Sequence, residues 1–206
     1  MRKICFLYII ISITACKSTR LASQNPLHMI TREFEQFDIG KYQVQQHNES
    51  HVTLPDGTSI VQSGNRETGF IVNTTPPKPS FFVVYKYYYG NGNIREKAVV
   101  LGEDTYVGKS YQFDEQGKLT KETNEDAAFG KFSYNDVLHY LHQQKMINIH
   151  TGENRDRLHL KFNNIDGKKT WEADIEINGF NNLYVLDGET GKVLKKANHI
   201  PIRIVE

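Results

Sequence analysis

The fold is decided by the stretch FFVVYKYYYGNGNIREKAVVL, which occupies residues 81–101. Its first part is aromatic or β-branched at every position except Lys86, and such residues favour extended strands. The chain then reaches Gly90-Asn91-Gly92-Asn93, and an Asn-Gly pair favours the tight turn of a β-hairpin. Apolar residues return between Ile94 and Leu101. We therefore predict two antiparallel strands that are joined at this turn.

A second hairpin follows, with a turn at Asp114-Glu115-Gln116-Gly117 between strands at 109–113 and 118–123. Its turn region repeats the order of aromatic, turn, glycine, polar and aliphatic residues found in 89–96. The matching glycines lie 25 positions apart, which is consistent with stacked hairpins. Over residues 85–123 the pattern resembles the MORN-like repeats of bacterial proteins, including antitoxin-like and immunity-like families. Ordinary meander hairpins have a similar pattern, so both interpretations stay open.

Turn signals also lie upstream of the central hairpin. Pro55-Asp56-Gly57-Thr58 predicts a tight turn between two short strands, because these residue types favour turns. Pro76, Pro77 and Pro79 then interrupt the chain, and a regular element does not continue through closely spaced prolines.

One segment has the pattern of an amphipathic helix. Ser133 is a suitable N-cap, and Asp136 three residues later completes a capping-box pattern. Apolar residues follow at helical spacing, so that one face of the helix carries Tyr134, Val137, Leu138 and Leu141. We expect this helix to run to about Lys145 and to lie on a sheet.

The C-terminal third alternates between apolar and charged residues, as half-buried strands do. Leu158, Leu160 and Phe162 alternate with basic residues, and the strand after Trp171 alternates with acidic ones. If the two strands pair, one face is apolar and the other sets basic beside acidic side chains, which contributes about 0.2–1 kcal/mol per pair. We therefore interpret the acidic residues Glu172, Asp174 and Glu176 as structural rather than as a metal site.

A turn in the following segment carries a further resemblance. Asp187, Thr190, Gly191 and Val193, together with Trp171 upstream, resemble the end of a PepSY-type domain, where a strand reaches a D-x-x-T-G turn and returns. The resemblance covers residues 161–194. It implies a small α+β module of the bacterial envelope, of a kind linked with peptidase inhibition or protein binding, with the helix from Ser133 as its packing partner. Ile200, Ile202 and Ile204 suggest a last strand, which Pro201 would place at an edge.

These patterns predict an α+β fold that is mostly antiparallel β: a hairpin meander followed by a small sheet packed on one helix. The predicted organisation is a signal peptide at 1–15, a tether and N-terminal segment at 16–41, a MORN-like hairpin region at 42–128 and a PepSY-like region at 129–206.

The N-terminus carries the pattern of an export signal. Arg2 and Lys3 precede an apolar run over 4–13, which is shorter than the roughly 20 residues of a membrane span. The following Ile13-Thr14-Ala15-Cys16 resembles the lipobox of bacterial lipoproteins, which implies cleavage before Cys16 and acylation of its thiol. The alternative is an ordinary cleaved signal in which Cys16 is incidental.

Lipidation would tie the mature chain to a membrane. Cys5 leaves with the signal and Cys16 carries the lipid, so no thiol remains for a disulfide. Residues 17–24 are polar and would form the tether. We expect a lipid-anchored protein of the bacterial cell envelope, at the outer membrane and facing the periplasm.

The charge balance excludes one class of function. The chain has 25 basic and 24 acidic residues, a formal charge of +1, without the excess of Lys and Arg typical of nucleic-acid binders. Cleavage would remove Arg2 and Lys3, leaving 23 basic against 24 acidic residues.

A search for catalytic motifs gives only imperfect matches. Residues 102–110 end in Gly-Lys-Ser like a phosphate-binding loop, but five residues separate the glycines and the following pattern is that of a strand, not the required helix. We therefore predict a hairpin loop and no nucleotide. His139 and His142 lie opposite the apolar face of the helix and are interpreted as surface residues. We predict no catalytic residues, metal or cofactor.

The sequence thus favours a non-catalytic envelope lipoprotein that binds another protein, in its sharpest form an immunity-type protein. The candidate contact residues are Tyr88, Asn91 and Tyr106, whereas Tyr87 and Tyr89 are expected to pack within the sheet. The alternatives are a structural or assembly lipoprotein of an outer-membrane complex and a cell-envelope hydrolase.

Overall fold

The computed structural model describes residues 29–42, 49–102 and 104–200. Within these residues the chain forms two antiparallel β-sheets and one α-helix, which confirms the predicted α+β class dominated by antiparallel strands. The predicted signal peptide, Cys16, the tether over 17–24 and the strand expected after Ile200 lie outside the described residues.

The first sheet is a seven-stranded meander in which each strand pairs with the next along the chain. Its strands are β1 (Glu49–Thr53), β2 (Ser59–Asn65), β3 (Gly69–Thr75), β4 (Phe82–Tyr88), β5 (Ile94–Leu101), β6 (Thr105–Phe113) and β7 (Leu119–Asn124). The second sheet has four strands in the order β11-β10-β9-β8, formed by β8 (Leu158–Ile165), β9 (Lys168–Ile177), β10 (Phe180–Asp187) and β11 (Val193–His199).

Both predicted hairpins are present. β4 pairs with β5 across the turn that follows Tyr88, where the amide of Tyr89 donates to the carbonyl of Asn93 at 2.9 Å. β6 pairs with β7, and the amide of Asp114 donates to the carbonyl of Lys118 at 3.0 Å. The two turns also contact each other, since the Asn93 side chain donates to the carbonyl of Glu115 at 2.8 Å. The hairpins that resemble each other in sequence therefore lie side by side.

The helix α1 (Tyr134–Gln143) begins at the predicted capping box and ends slightly before Lys145. The backbone N–H of Ser133 donates to the Asp136 carboxylate at 2.8 Å, and the Ser133 hydroxyl accepts from the Asp136 amide at 3.4 Å. The four predicted apolar residues of the helix are all buried: Tyr134, Val137, Leu138 and Leu141.

The two sheets and the helix share one hydrophobic core. The Tyr134 ring lies 6.0 Å from Phe82 of β4, and the Tyr140 ring lies 5.9 Å from Tyr184 of β10, so α1 contacts both sheets. Trp171, at the centre of the second sheet, is fully buried and donates its indole N–H to the carbonyl of Phe132 at 2.9 Å.

Each sheet has a second face that points away from this core. In the four-stranded sheet, Lys161 lies opposite Glu172 and His159 opposite Asp174, as the sequence predicted for paired strands. We call this side the outer face. Its charged or ionisable side chains are His159, Lys161, Glu172, Asp174 and Glu176, and β10 adds the apolar Leu183 and Val185.

Residues 29–42, which the sequence pattern did not place, pack on the core side of the seven-stranded sheet. The Phe37 ring lies 4.8 Å from Phe70 and 5.4 Å from Tyr88. Next to it, the carboxylate of Glu35 forms ion pairs with Lys86 and with the fully buried Lys97. Burial raises the pKa of Glu35, but hydrogen bonds from the two lysines and their positive charges outweigh it, so the pKa is lowered.

Candidate functional site

The side of the seven-stranded sheet that faces away from the core carries aromatic and aliphatic side chains. Cross-strand pairing places Val83 beside Val100, and Val100 beside Tyr106. Ile71 pairs with Tyr87 in the same way. None of these residues belongs to the hydrophobic cluster shared by the two sheets and the helix, but Val100 is itself buried, with 8% of its surface exposed. We call this surface the open face; its aromatic and aliphatic members are Val61, Ile71, Val83, Tyr85, Tyr87, Val100 and Tyr106. The polar residues Asn73, Glu96 and Gln112 lie on the same side of the sheet.

Two tyrosines form the centre of the open face. The rings of Tyr85 and Tyr106 lie 6.3 Å apart, and both residues are half-buried. Burial, followed by the negative charge of Glu96, raises the pKa of Tyr106 to about 12. The same two causes raise the pKa of Tyr85. Both hydroxyl groups therefore keep their protons at physiological pH and can act as hydrogen-bond donors.

Of the three predicted contact residues, Tyr106 lies on the open face and Asn91 is exposed at the β4–β5 turn. The prediction for Tyr88 is wrong, because its side chain is only 5% exposed and packs on the core side against Phe37. Tyr88 has the same orientation in the strand as Lys86, a charged residue that would normally mark the solvent side. Here Lys86 faces the core side because Glu35 pairs with it there.

Tyr87 and Tyr89, which were expected to pack within the sheet, lie at the turn end of the open face beside Arg95. The guanidinium carbon of Arg95 lies 4.8 Å from the centre of the Tyr87 ring and 5.5 Å from that of Tyr89. Both hydroxyl groups are fixed, since Tyr87 donates to the carbonyl of Thr68 at 2.7 Å and Tyr89 to that of Phe113 at 2.9 Å.

A bulge in the β4–β5 ladder positions Arg95. Tyr87 pairs with Glu96 but Tyr88 pairs with Ile94, so Arg95 is the extra residue between two regular pairs. The sequence has no local signal for this arginine, because the bulge arises from the register of two strands and not from a motif.

The β2–β3 turn forms the other wall of this site. The Asn65 carboxamide oxygen accepts from the amides of Glu67 at 2.8 Å and Thr68 at 2.9 Å, which fixes the turn. A Cβ atom at position 90 would lie 1.8 Å from the carbonyl oxygen of Arg66, so only glycine allows the two turns to approach this closely.

A cavity of about 390 Å³ lies between these turns. We call it the turn-end site; its lining includes Arg66, Glu67, Tyr87, Tyr89, Asn91, Arg95 and Glu115. Within the described part of the chain, neither Arg66 nor Arg95 forms an ion pair with a carboxylate.

The other sequence motifs are the Gly-Lys-Ser segment and the helix histidines. Residues 105–113 form β6, as expected for a hairpin rather than a phosphate-binding loop, and Lys109 pairs with Glu122 at 2.6 Å. His142 Nδ1 lies 3.3 Å from the carbonyl of Ile147. Among the described residues, no group of three or more His, Cys, Asp or Glu side chains could hold a metal ion.

Comparisons with models of protein families, with curated proteins and with solved structures find no match for this chain. Across residues 29–42, 49–102 and 104–200, no helix is both long enough and apolar enough to span a bilayer.

Proposed function

We propose that this chain is a non-catalytic, lipid-anchored protein of the bacterial cell envelope that binds another protein through its open face. The observation that carries the proposal is the pair of half-buried tyrosines, Tyr85 and Tyr106, which lie outside the core cluster next to Val83 and the buried Val100. Tyrosine supplies large, rigid contact area with a polar end, and aromatic residues are enriched at protein interfaces.

The anchor in this proposal is Cys16 of the lipobox-like sequence. The test compares the wild-type chain with Cys16→Ser in a Gram-negative host, following incorporation of a labelled fatty acid and the membrane fraction. We expect label and membrane association in the wild type only, whereas a labelled Cys16→Ser chain would contradict the anchor.

Binding is tested with the chain from Lys17 onward, which keeps every described residue. This chain captures partners from envelope and secreted fractions, and mass spectrometry identifies them. The open-face variant is Tyr85→Ser/Tyr106→Ser, and the matched control is Lys161→Ala/Glu172→Ala on the outer face. Circular dichroism and thermal melting establish that both variants fold.

We expect one stoichiometric partner that the control retains and the open-face variant loses by about tenfold or more in affinity, as for interface hot spots. Equal capture by both variants would contradict the open face as the binding surface. A secreted toxin as the partner would favour the immunity-type form of the proposal, and an outer-membrane complex would favour an assembly role.

A further inference from the structure

We propose that the turn-end site binds the carboxylate of an acidic side chain on the partner protein, with Arg95 as its main contact. The inference rests on the proposed function, because it specifies the chemistry that the partner presents beside the open face. It concerns a part of the surface that is separate from Tyr85 and Tyr106, at the end of the sheet where three turns meet.

The arrangement of Arg95 suits this ligand. Its guanidinium carbon lies 4.8 Å from the centre of the Tyr87 ring and 5.5 Å from that of Tyr89, contacts that do not use its N–H groups as donors to an oxygen. A planar guanidinium with free donors matches a carboxylate in a bidentate geometry. Among the described residues, no carboxylate forms an ion pair with Arg95.

The site is rigid before any ligand arrives. Both tyrosine rings are held by their hydroxyl groups on the carbonyls of Thr68 and Phe113. The turn that carries Arg66 is fixed by the side chain of Asn65 and by its close approach to Gly90. A binding group that is already oriented loses little conformational entropy on association.

The charges of the lining favour a single carboxylate over a polyanion. Arg66 and Arg95 are balanced by Glu67 and Glu115, which line the same cavity. Glu67 and Glu115 would repel a phosphate cluster or a nucleic acid, whereas a single carboxylate can bind next to Arg95 alone. The neighbouring open face is aromatic and aliphatic, so we commit to an acidic residue within a folded or extended segment of a protein partner.

The experiment follows the side-chain Nε–Hε resonances of the arginines in the ¹⁵N-labelled chain from Lys17 onward. The probes are N-acetyl-glutamate α-amide for a side-chain carboxylate, N-acetyl-alanine for a chain terminus and N-acetyl-glutamine α-amide as the neutral match. Arg157 is the internal control, since it is exposed and directly precedes β8 of the other sheet.

We expect the Arg95 resonance to move saturably with the glutamate probe and to be unaffected by the glutamine probe, while Arg157 shows only a small non-saturable change. Arg95→Lys keeps the charge but loses the planar fork, so we expect about a fivefold or greater loss of affinity, followed at the backbone amides of the β4–β5 turn. Arg157→Lys should leave the affinity unchanged.

Two results would overturn the inference: equal movement of Arg95 and Arg157, or tighter binding of the chain-terminus probe than of the glutamate probe. The inference fails separately from the proposed function. Loss of carboxylate binding with an intact, Tyr106-dependent partner would remove only the inference, whereas carboxylate binding without such a partner would remove only the proposed function.

Discussion

The open face of the seven-stranded sheet and the outer face of the four-stranded sheet are both sides of antiparallel sheets that point away from the common core. On the outer face, Lys161 lies opposite Glu172 and His159 opposite Asp174, so neighbouring strands carry complementary charges. On the open face, Val83, Val100 and Tyr106 lie next to each other across three strands.

The two faces therefore differ in composition. The outer face sets charged residues of β8 and β9 beside Leu183 and Val185 of β10, whereas the open face has half-buried tyrosines at its centre. Exposed charge pairs contribute little to stability. Removing apolar surface from water lowers the free energy by about 25 cal/mol per Å². A partner that covers the exposed parts of Tyr85 and Tyr106 would therefore gain binding free energy. In the proposed function, the seven-stranded sheet provides the recognition surface and the four-stranded sheet supports it.

The largest loss of stability is expected for a substitution that removes a charged group from the core side of the seven-stranded sheet. Glu35→Ala removes the partner of Lys86 and of the fully buried Lys97. Because a buried charge is left without its counter-ion, we expect the free energy of unfolding to fall by about 3 kcal/mol, measured by urea denaturation. Glu172→Ala on the outer face is the matched control, with a loss of about 0.5 kcal/mol or less. Similar losses in the free energy of unfolding for Glu35→Ala and Glu172→Ala would contradict this difference between the core side and the outer face.

Because Glu35 must be ionised to form these ion pairs, we expect the stability of the folded state to depend on pH. The pKa of Glu35 is lowered from its ordinary value of 4.5, so its ionised form stabilises the folded state above that pH. This contribution is lost as the pH falls from about 4.5 through the folded-state pKa, because protonation then removes the ion pairs. We expect wild-type stability to fall more steeply than that of Glu35→Gln in this range. Parallel curves, from thermal melts over the acidic range, would argue against it.

Two tyrosine hydroxyls on opposite sides of the structure should respond with opposite sign. The Tyr184 hydroxyl is buried and has no hydrogen-bond partner among the described residues, so Tyr184→Phe should raise the free energy of unfolding by about 1 kcal/mol. The Tyr87 hydroxyl donates to Thr68, so Tyr87→Phe should lower it by about 0.5–1 kcal/mol. Denaturation curves measure both changes, and a destabilised Tyr184→Phe would show that its hydroxyl has a partner.

The smallest expected effect is the coupling between two charged residues of the outer face. A double-mutant cycle of Lys161→Ala and Glu172→Ala should give a coupling free energy of about 0.5 kcal/mol, since the residues are directly opposite on neighbouring strands. The coupling should weaken in 1 M salt, where exposed charges are screened. A coupling that is larger and independent of salt would mean that the outer face is buried against something.

The sequence allowed much of the fold to be predicted, because its signals are local. The Asn91-Gly92 turn, the capping box of Ser133 and Asp136, and the alternation around Trp171 each act within a few residues, and the structure contains all of them.

The orientation of β4 could not be predicted, because it depends on a residue far away in the chain. Lys86 and Tyr88 point to the core side, where Glu35 and Phe37 contact them. Of the predicted contact residues, Asn91 is exposed and Tyr106 is half-buried, and their role in binding stays a prediction. Arg95 depends on a bulge that no sequence pattern marks.

The most direct test of the open face as a binding surface is site-specific photo-crosslinking in intact cells. A photoreactive phenylalanine analogue replaces either Tyr106 on the open face or Lys161 on the outer face of the full-length chain. The account predicts a discrete crosslinked product from position 106 and none from position 161. Crosslinking from position 161 alone, or to the same extent from both positions, would contradict it.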